Sequence, residues 1–471
     1  MNSPQTVTVP SRSWYGDADR TLTFPAGWEL HVCGSADAPA LSSAQMAAAF
    51  DNPIGTPRIR DAARGRASAA IIVDDLSRPT PAAEMLPYVL EELAEAGVPK
   101  GETVIVVGGG THRPLTDEEM VKKVGAEVAA NYATTSHDFM AGDLVAYGSL
   151  DDGTPIYINR FVAEAEFKIC VGGIFPHGSA GFGGGAKLIV PGVAGFATIF
   201  HFHGFSPTRG QGNIERRKPS EGDKGKVTLI DGGVRDLRDV AEEVAGKIGL
   251  DMVVNSVITS RRKVAGLFVG DFVEAHRAGA RFAQRTYGTT IPNRLRQEAD
   301  VVVCNGYPLD ADPVQGSKAL WPLPYFEKEP YKVVLNAASD GISYHGLHQQ
   351  LPWAQYLKRR AAANGTPDPA SMVNGRESLL IVSEHFQAAE FAAKHGGDLL
   401  YRDWQTVIDQ LAAKLPADAT VAIFPNASTQ VLAREEAVAA GGGSKANSPS
   451  LFAKERRETH GIDGRTAKGR K

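Results

Sequence analysis

The sequence predicts an α/β protein built as two α/β domains, and three observations carry that expectation. Apolar runs of strand length recur along the chain, and stretches with helical periodicity separate them, the alternation that builds parallel sheets through right-handed crossovers. Gly-rich or Pro-bearing turns directly follow several of the runs, where open α/β sheets place their ligand loops. The length of 471 residues exceeds one ordinary core, since domains run to about 100–200 residues.

Composition narrows the function classes. A hydrophobic share of 43% against 22% charged residues is enough to bury cores and leave a solvated surface. The net charge of −4 provides no basic footprint, so nucleic acid is not an expected partner. Cys33, Cys170 and Cys304 lie far apart, which predicts buried thiols in a reducing compartment rather than a disulfide framework or thiolate cluster. The N-terminus MNSPQTVTVPSRSWYGD lacks a basic and an apolar signal region. No apolar run approaches the ~20 residues of a membrane span, so a cytoplasmic protein without a membrane partner is expected.

The elements of the first domain, expected over residues 1–288, read in order. Ala69–Val73 is an apolar strand run, after which Thr80 and Pro81 supply an N-cap and first-turn pair for a helix ending near Gly97. Pro87 falls inside that helix and predicts a kink or a later start. Thr103–Val107 is the second strand run, completing a βαβ unit, and Thr116 with Glu119 has capping-box spacing, with Leu115 preceding as a staple. Phe167–Val171 is a further strand run.

A second domain, Rossmann-like and expected over 289–437, begins near Thr289–Asn293. Its strand runs are DVVVCN (300–305), KVVLNA (332–337), LLIVSE (379–384) and TVAIFP (420–425), interleaved with helical patterns such as WQTVIDQLAAKL. Beyond Ala437 the composition turns Gly-, Ser- and Lys/Arg-rich, which predicts a mobile basic tail over 438–471.

Three motif-bearing segments occupy equivalent places after strands: DDLSRP (74–79), GGGTHRP (108–114) and GGIFPHGSAGFGGGAK (172–187). Their common position lets Arg78, His112, Arg113, His177 and Lys187 face one crevice. Glycine permits close backbone approach to a bound group, lysine offers an amine for covalent attachment, and histidine offers a metal ligand or an acid–base group. Alone, GGG reads as a tight turn and a single histidine as a structural one. Convergence of the three segments favours chemistry. His201 and His203 would share a face if strand, forming a metal pair, and diverge if helical.

These pieces, with EAHRAG (274–279) and GYPLDADPVQGSKAL (306–320), resemble the nickel-pincer lactate racemase family, in family order across residues 74–320. The resemblance implies a racemase or epimerase of a 2-hydroxy carboxylic acid, acting by reversible hydride transfer to a nickel-pincer pyridinium nucleotide. By that resemblance Lys187 tethers the cofactor through a thioamide, His203 ligates nickel, and His112 and His177 are the acid–base pair. Arg78 and Lys318 hold the substrate carboxylate, and Gln315 faces the substrate. Asp75, Gly172, Gly173, Gly184 and Gly185 lie at the cofactor, and Trp404 lines the site. The second domain then closes over the cofactor, placing the active site in the interdomain crevice. Partners implied are a small 2-hydroxy acid and the pincer-biosynthesis enzymes that load the protein.

Departures from the family pattern carry expectations of their own. The polar stretch 204–226 predicts a loop or lid. The elaborated region 322–376 predicts a substrate larger than lactate, such as an aromatic or sugar acid. An NAD(P)-dependent oxidoreductase, which explains neither Lys187 nor His203, and a non-catalytic pincer carrier, which would keep its function without His112 and His177, are the alternatives. A zinc hydrolase using His201 and His203 lacks a third ligand at recognisable spacing.

Overall fold

The computed structural model describes residues 3–151, 153–177, 180–202, 226–228, 234–341, 379–386 and 400–433. Two six-stranded sheets organise them. The first runs Val264–Gly270, Met252–Ile258, Phe167–Gly173, Ala69–Val73, Thr103–Val107 and Ala133–Ser136. All neighbours are parallel except the Val264–Gly270 edge strand, which is antiparallel. All of Ala69–Val73 is buried, with Ala70 and Ile72 in one apolar cluster and Ala69, Ile71 and Val73 in another. Alternation of side chains across a strand covered on both faces produces that split, and it explains an unbroken apolar run in the sequence.

The second sheet runs Leu400–Tyr401, Leu379–Val382, Tyr331–Leu335, Val301–Asn305, Thr420–Phe424 and Glu29–Val32, all parallel. Here too alternate residues divide, Val301 and Val303 to one cluster and Val302 and Cys304 to the other. All four strand runs expected in this half are present.

The N-terminal segment departs from the expected division. Residues placed by sequence in the first domain, 1–288, contribute Glu29–Val32 to the second sheet, paired with Thr420–Ile423. The antiparallel hairpin of Gln5–Ser11 and Ala18–Phe24 packs Val9, Leu22 and Phe24 into the same core as Val301 and Val421. Glu29–Val32 is a partly exposed edge, so its charge and short length conceal it from an apolar-run criterion.

Local signals mostly hold. Thr116 and Glu119 form the reciprocal capping box of the helix Asp117–Val124. The helix Ala82–Ala96 ends at Gly97 with φ 87°, the left-handed terminus glycine favours. It accommodates Pro87 without interruption. Thr80 does not cap it, because its hydroxyl donates to Asp74 at 2.5 Å, and Pro81 takes the cap position. All three cysteines are buried thiols. Among the described residues no helix is long and apolar enough to cross a membrane. The tail 438–471 and nearly all of the stretch 204–226 lie outside the described residues.

Candidate active site

Parallel pairing aligns the carboxyl ends of Ala69–Val73, Thr103–Val107 and Phe167–Gly173, and the three motif loops therefore emerge on one side of the sheet. Together they line a cavity of about 230 Å3, joined by Gln315 and Lys318 from the turn beyond Val301–Asn305. Asp75, Arg78, His112, Gly173, His177, Gly184 and Lys187 all border it. Gly172 and Gly185 stand behind this lining, against Leu188 and His276 respectively.

The DDLSRP turn is assembled around its two carboxylates. Asp75 Oδ1 accepts the Ser77 N–H at 3.1 Å, and Asp75 Oδ2 lies 2.6 Å from His112 Nδ1. Burial would raise the Asp75 carboxyl, but His112, Arg78 and Ser77 outweigh it and hold it well below the usual carboxylate range. An ionised Asp75 requires Nδ1 to carry the hydrogen, so Nε2 of neutral His112 is its acceptor nitrogen. Arg78 Nη1 donates to Ser77 Oγ at 2.9 Å.

Beneath this turn Lys123, fully buried, pairs with Asp74 at 2.5 Å and donates to the carbonyls of Asp75, Arg78 and Thr80 at 3.1, 3.4 and 3.1 Å. Burial lowers its pKa, and Asp74 offsets part of that effect. Sequence reading missed Lys123. Its signal was helical spacing: Met120, Lys123 and Val124 follow the i, i+3, i+4 pattern of a buried face.

The glycine segment is held by residues from three later elements. Gly173 has no room for a side chain, since a Cβ would sit 2.1 Å from the Phe175 ring and 2.5 Å from Thr80 Oγ1. Gly184 adopts φ 73°, and a Cβ there would meet Gly173 O and Asn255 Oδ1 at 2.9 Å, so both conformation and space demand glycine. Asn255 Oδ1 accepts the Gly185 N–H at 2.9 Å. Buried Arg238 donates to Gly184 O at 3.0 Å and to Phe182 O. His276 donates through Nε2 to Gly183 O at 2.9 Å while Arg277 lies 3.2 Å from its Nδ1. Burial, reinforced by Arg238, depresses His276 to about 3, which keeps it neutral. Neither Arg238 nor Asn255 sits in a motif. His276 belongs to EAHRAG, where its spacing assigned it no role.

The cavity gathers Arg78, Lys187 and Lys318 beside the carboxylates of Asp74 and Asp75. Burial brings Lys187 down to about 7, helped by Arg238 and Arg78. Burial also pushes His177 well below its usual value, with Lys187, Lys318, Arg78 and Arg238 adding to the shift. Lys318 is lowered by burial and by Arg78 and Lys187. Cations gathered in a low-dielectric wall attract an anion and disfavour one another's protons.

Other expected residues lie elsewhere. Trp404 is outside the cavity: it packs edge-on to Phe24 with centroids 5.1 Å apart and donates its indole N–H to Thr23 O at 2.8 Å. Its helix, Trp404–Ala412, lies against the hairpin in the second core. Arg113 does not line the cavity either, because Glu119 and Asp340 take its guanidinium at 2.7 and 2.8 Å. The segment Phe196–Phe202 is a helix, so strand-like pairing of His201 with His203 has no basis up to that point. His203 itself lies outside the described residues. Among the described residues no cluster of three or more His, Cys, Asp or Glu suits a metal ion.

Comparison with known proteins bears on this site. A family model described as the lactate racemase N-terminal domain matches residues 15–212. Lactate racemase of Lactiplantibacillus plantarum is 30% identical over 310 residues, covering 64% of this chain and 68% of that protein. Lactate racemase of Thermoanaerobacterium thermosaccharolyticum is 31% identical over 278 residues, covering 58% and 60%. The solved lactate racemase apoprotein from T. thermosaccharolyticum superposes with a TM-score of 0.65 at 21% identity, over 91% of this chain and 100% of that one. A Thermotoga maritima protein superposes with a TM-score of 0.53 at 18% identity, over 79% and 96%. These structural likenesses establish a shared α/β architecture.

Proposed function

The chain belongs to the lactate racemase family, and from that premise we propose that it inverts C2 of a 2-hydroxy carboxylic acid. His112 and His177 form the acid–base pair, and Lys187 tethers a nickel-pincer nucleotide. The observation that carries the reading is the convergence of a carboxylate-backed histidine, a second histidine, a lysine brought to about 7 and two further cations on one cavity.

The residues present fit the implied cofactor. Gly109, Gly173 and Gly184 border the cavity, with the glycines at 173 and 184 required by packing against Phe175, Thr80 and Asn255, so the fit rests chiefly on the Lys187 amine in the cavity wall. At neutral pH a lysine near 7 presents a substantial fraction of free amine, the form that bonds covalently. By the family resemblance, His203 would supply the nickel ligand. The chemistry such a group supplies when bound is reversible hydride acceptance.

The chain's own part is binding and proton handling. Arg78 and Lys318 grip the substrate carboxylate, with Gln315 in the wall beside them. His112 Nε2 accepts the hydroxyl proton, and Asp75 stabilises the imidazolium that results. Burial, with the surrounding cations adding to it, favours the neutral form of His177. A bound carboxylate offsets those cations and raises its proton affinity, preparing it to serve the opposite enantiomer. A substrate larger than lactate, an aromatic or sugar acid, is proposed from the length of 322–376. The protein is proposed to be cytoplasmic and loaded there by the pincer-biosynthesis enzymes.

The test is intact mass and nickel content of wild type and Lys187→Ala produced with those enzymes, followed by racemisation assays on a panel of 2-hydroxy acids. A covalent increment lost in the variant, with turnover lost in His112→Ala and His177→Ala, is expected. An adduct retained in wild type and both histidine variants, with no racemisation of any acid by wild type, would indicate a carrier, and reversible NAD(H) binding without an adduct would indicate the oxidoreductase.

A further inference from the structure

The cavity wall combines loops from both sheets, and one further segment contacts the supports of each. The hairpin Gln5–Ser11/Ala18–Phe24 has its stem in the second core, while its tip, 12–17, reaches the first sheet's loops. On the second-sheet side, buried Asp310 accepts the backbone N–H of Arg12 at 2.7 Å and of Ser13 at 3.1 Å. Two residues on, Asp312 caps the turn Pro313–Gly316 by accepting from Val314 and Gln315 at 2.6 and 3.2 Å, and this turn leads into Lys318. On the first-sheet side, Trp14 Nε1 donates to Arg78 O at 3.3 Å. The Trp14 ring lies under Arg262 at 4.0 Å and Lys123 at 5.2 Å, and Lys123 is the clamp of the Arg78 turn.

Two more tip residues make the same bridge. Asp17 accepts from Tyr307 at 3.1 Å and from Arg262 at 2.6 Å. Tyr15 lies 3.3 Å from Asp340, which also pairs with Arg113, next to His112. Arg12, Trp14 and Asp17 all adopt positive φ, at 62°, 70° and 37°. Non-glycine residues keep such conformations where their surroundings over-determine them.

We propose that this hairpin tip is a positioning element that couples the Arg78 turn to the Gln315–Lys318 turn. Two cationic groups from different sheets can grip one carboxylate only at a fixed separation, and the tip, bonded to the base of each turn, sets it. The identity of the gripped anion rests on the racemase reading, whereas the coupling does not. Each contact is local, but because the tip is short and multiply bonded, loosening either end releases both.

The experiment is hydrogen exchange by mass spectrometry on the full chain, comparing wild type with Asp310→Asn and Trp14→Phe, alongside steady-state kinetics of the loaded enzyme. Asp310→Asn touches only the second-sheet side, and Trp14→Phe removes the N–H facing Arg78 while keeping a ring between the cations. Each variant is expected to raise exchange in both 74–80 and 310–318, on the order of tenfold, the worth of one hydrogen bond to a charged or strained partner. KM should rise more than kcat falls, with the Lys187 adduct mass unchanged. Exchange raised only in the loop each variant touches would overturn the coupling. If exchange moves in both loops while wild type racemises nothing, the racemase reading fails and the coupling stands.

Discussion

At the residue scale, the pairing of His112 with Asp75 makes the sharpest prediction. Asp75→Asn keeps the shape but removes the charge that fixes the Nδ1 hydrogen and supports the imidazolium, so turnover should fall by about 10²- to 10⁴-fold. Racemisation measured from each enantiomer checks this, and an unchanged rate would remove Asp75 from the proton path. Lys187 makes a second prediction. With a pKa of about 7, it should be acylated at pH 7.5 ahead of the exposed lysines, as peptide mapping of cofactor-free protein would show. Trp404 makes a third, of opposite kind. Because it sits against Phe24 in the second core, Trp404→Ala should destabilise by about 3–5 kcal/mol in denaturant titration, while Trp404→Phe should leave KM intact. The motif residues Arg78, His112, His177 and Lys187 were legible in sequence because each follows a strand. Lys123, Arg238 and Asn255 were not, because a clamp that acts by donating to carbonyls, or by accepting a backbone N–H, leaves no motif.

At the element scale, the glycine segment works through close packing. Gly173→Ala would drive a Cβ into Phe175 and Thr80, and a cost of about 1–3 kcal/mol is expected from such overpacking, together with weaker retention of the cofactor. Melting and adduct mass would report the two effects separately. Behind the segment, His137 joins the strand Ala133–Ser136 to the site: its Nε2 donates to Ala194 O at 2.9 Å, and Asn159 Nδ2 lies 3.3 Å from its Nδ1. Burial depresses His137 from 6.5 to about 4. Between those values the unfolded chain binds the extra proton, so stability falls as pH drops below about 6.5, and the loss is complete near 4. The full effect is about 3 kcal/mol. In urea titrations His137→Gln should lose less stability than wild type over that window, and parallel curves would exclude His137 as a cause. The strand runs were legible because burial on both faces makes them uniformly apolar, while the cap at Thr80 was misread because Asp74 competes for its hydroxyl.

At the scale of the whole molecule, the sequence revealed two α/β halves but not their boundary. A chain read from left to right suggests that early residues belong to the first half, yet Glu29–Val32 lies beside Thr420–Phe424. Periodicity reports what one stretch buries, and it does not identify a partner almost four hundred residues away.

That pairing bears on how the protein is made. All strands of the first sheet exist once Val264–Gly270 has been synthesised, so it can fold while the ribosome is still translating. The second sheet cannot close then, since Thr420–Phe424 lies between Val301–Asn305 and Glu29–Val32. The earliest strands therefore wait for one of the last, and during that interval the nascent N-terminus exposes Val9, Leu22 and Phe24, a surface suited to a chaperone. Stalled nascent chains ending at residue 415 should protect Ala69–Val73 from protease while leaving Gln5–Val32 open to cleavage.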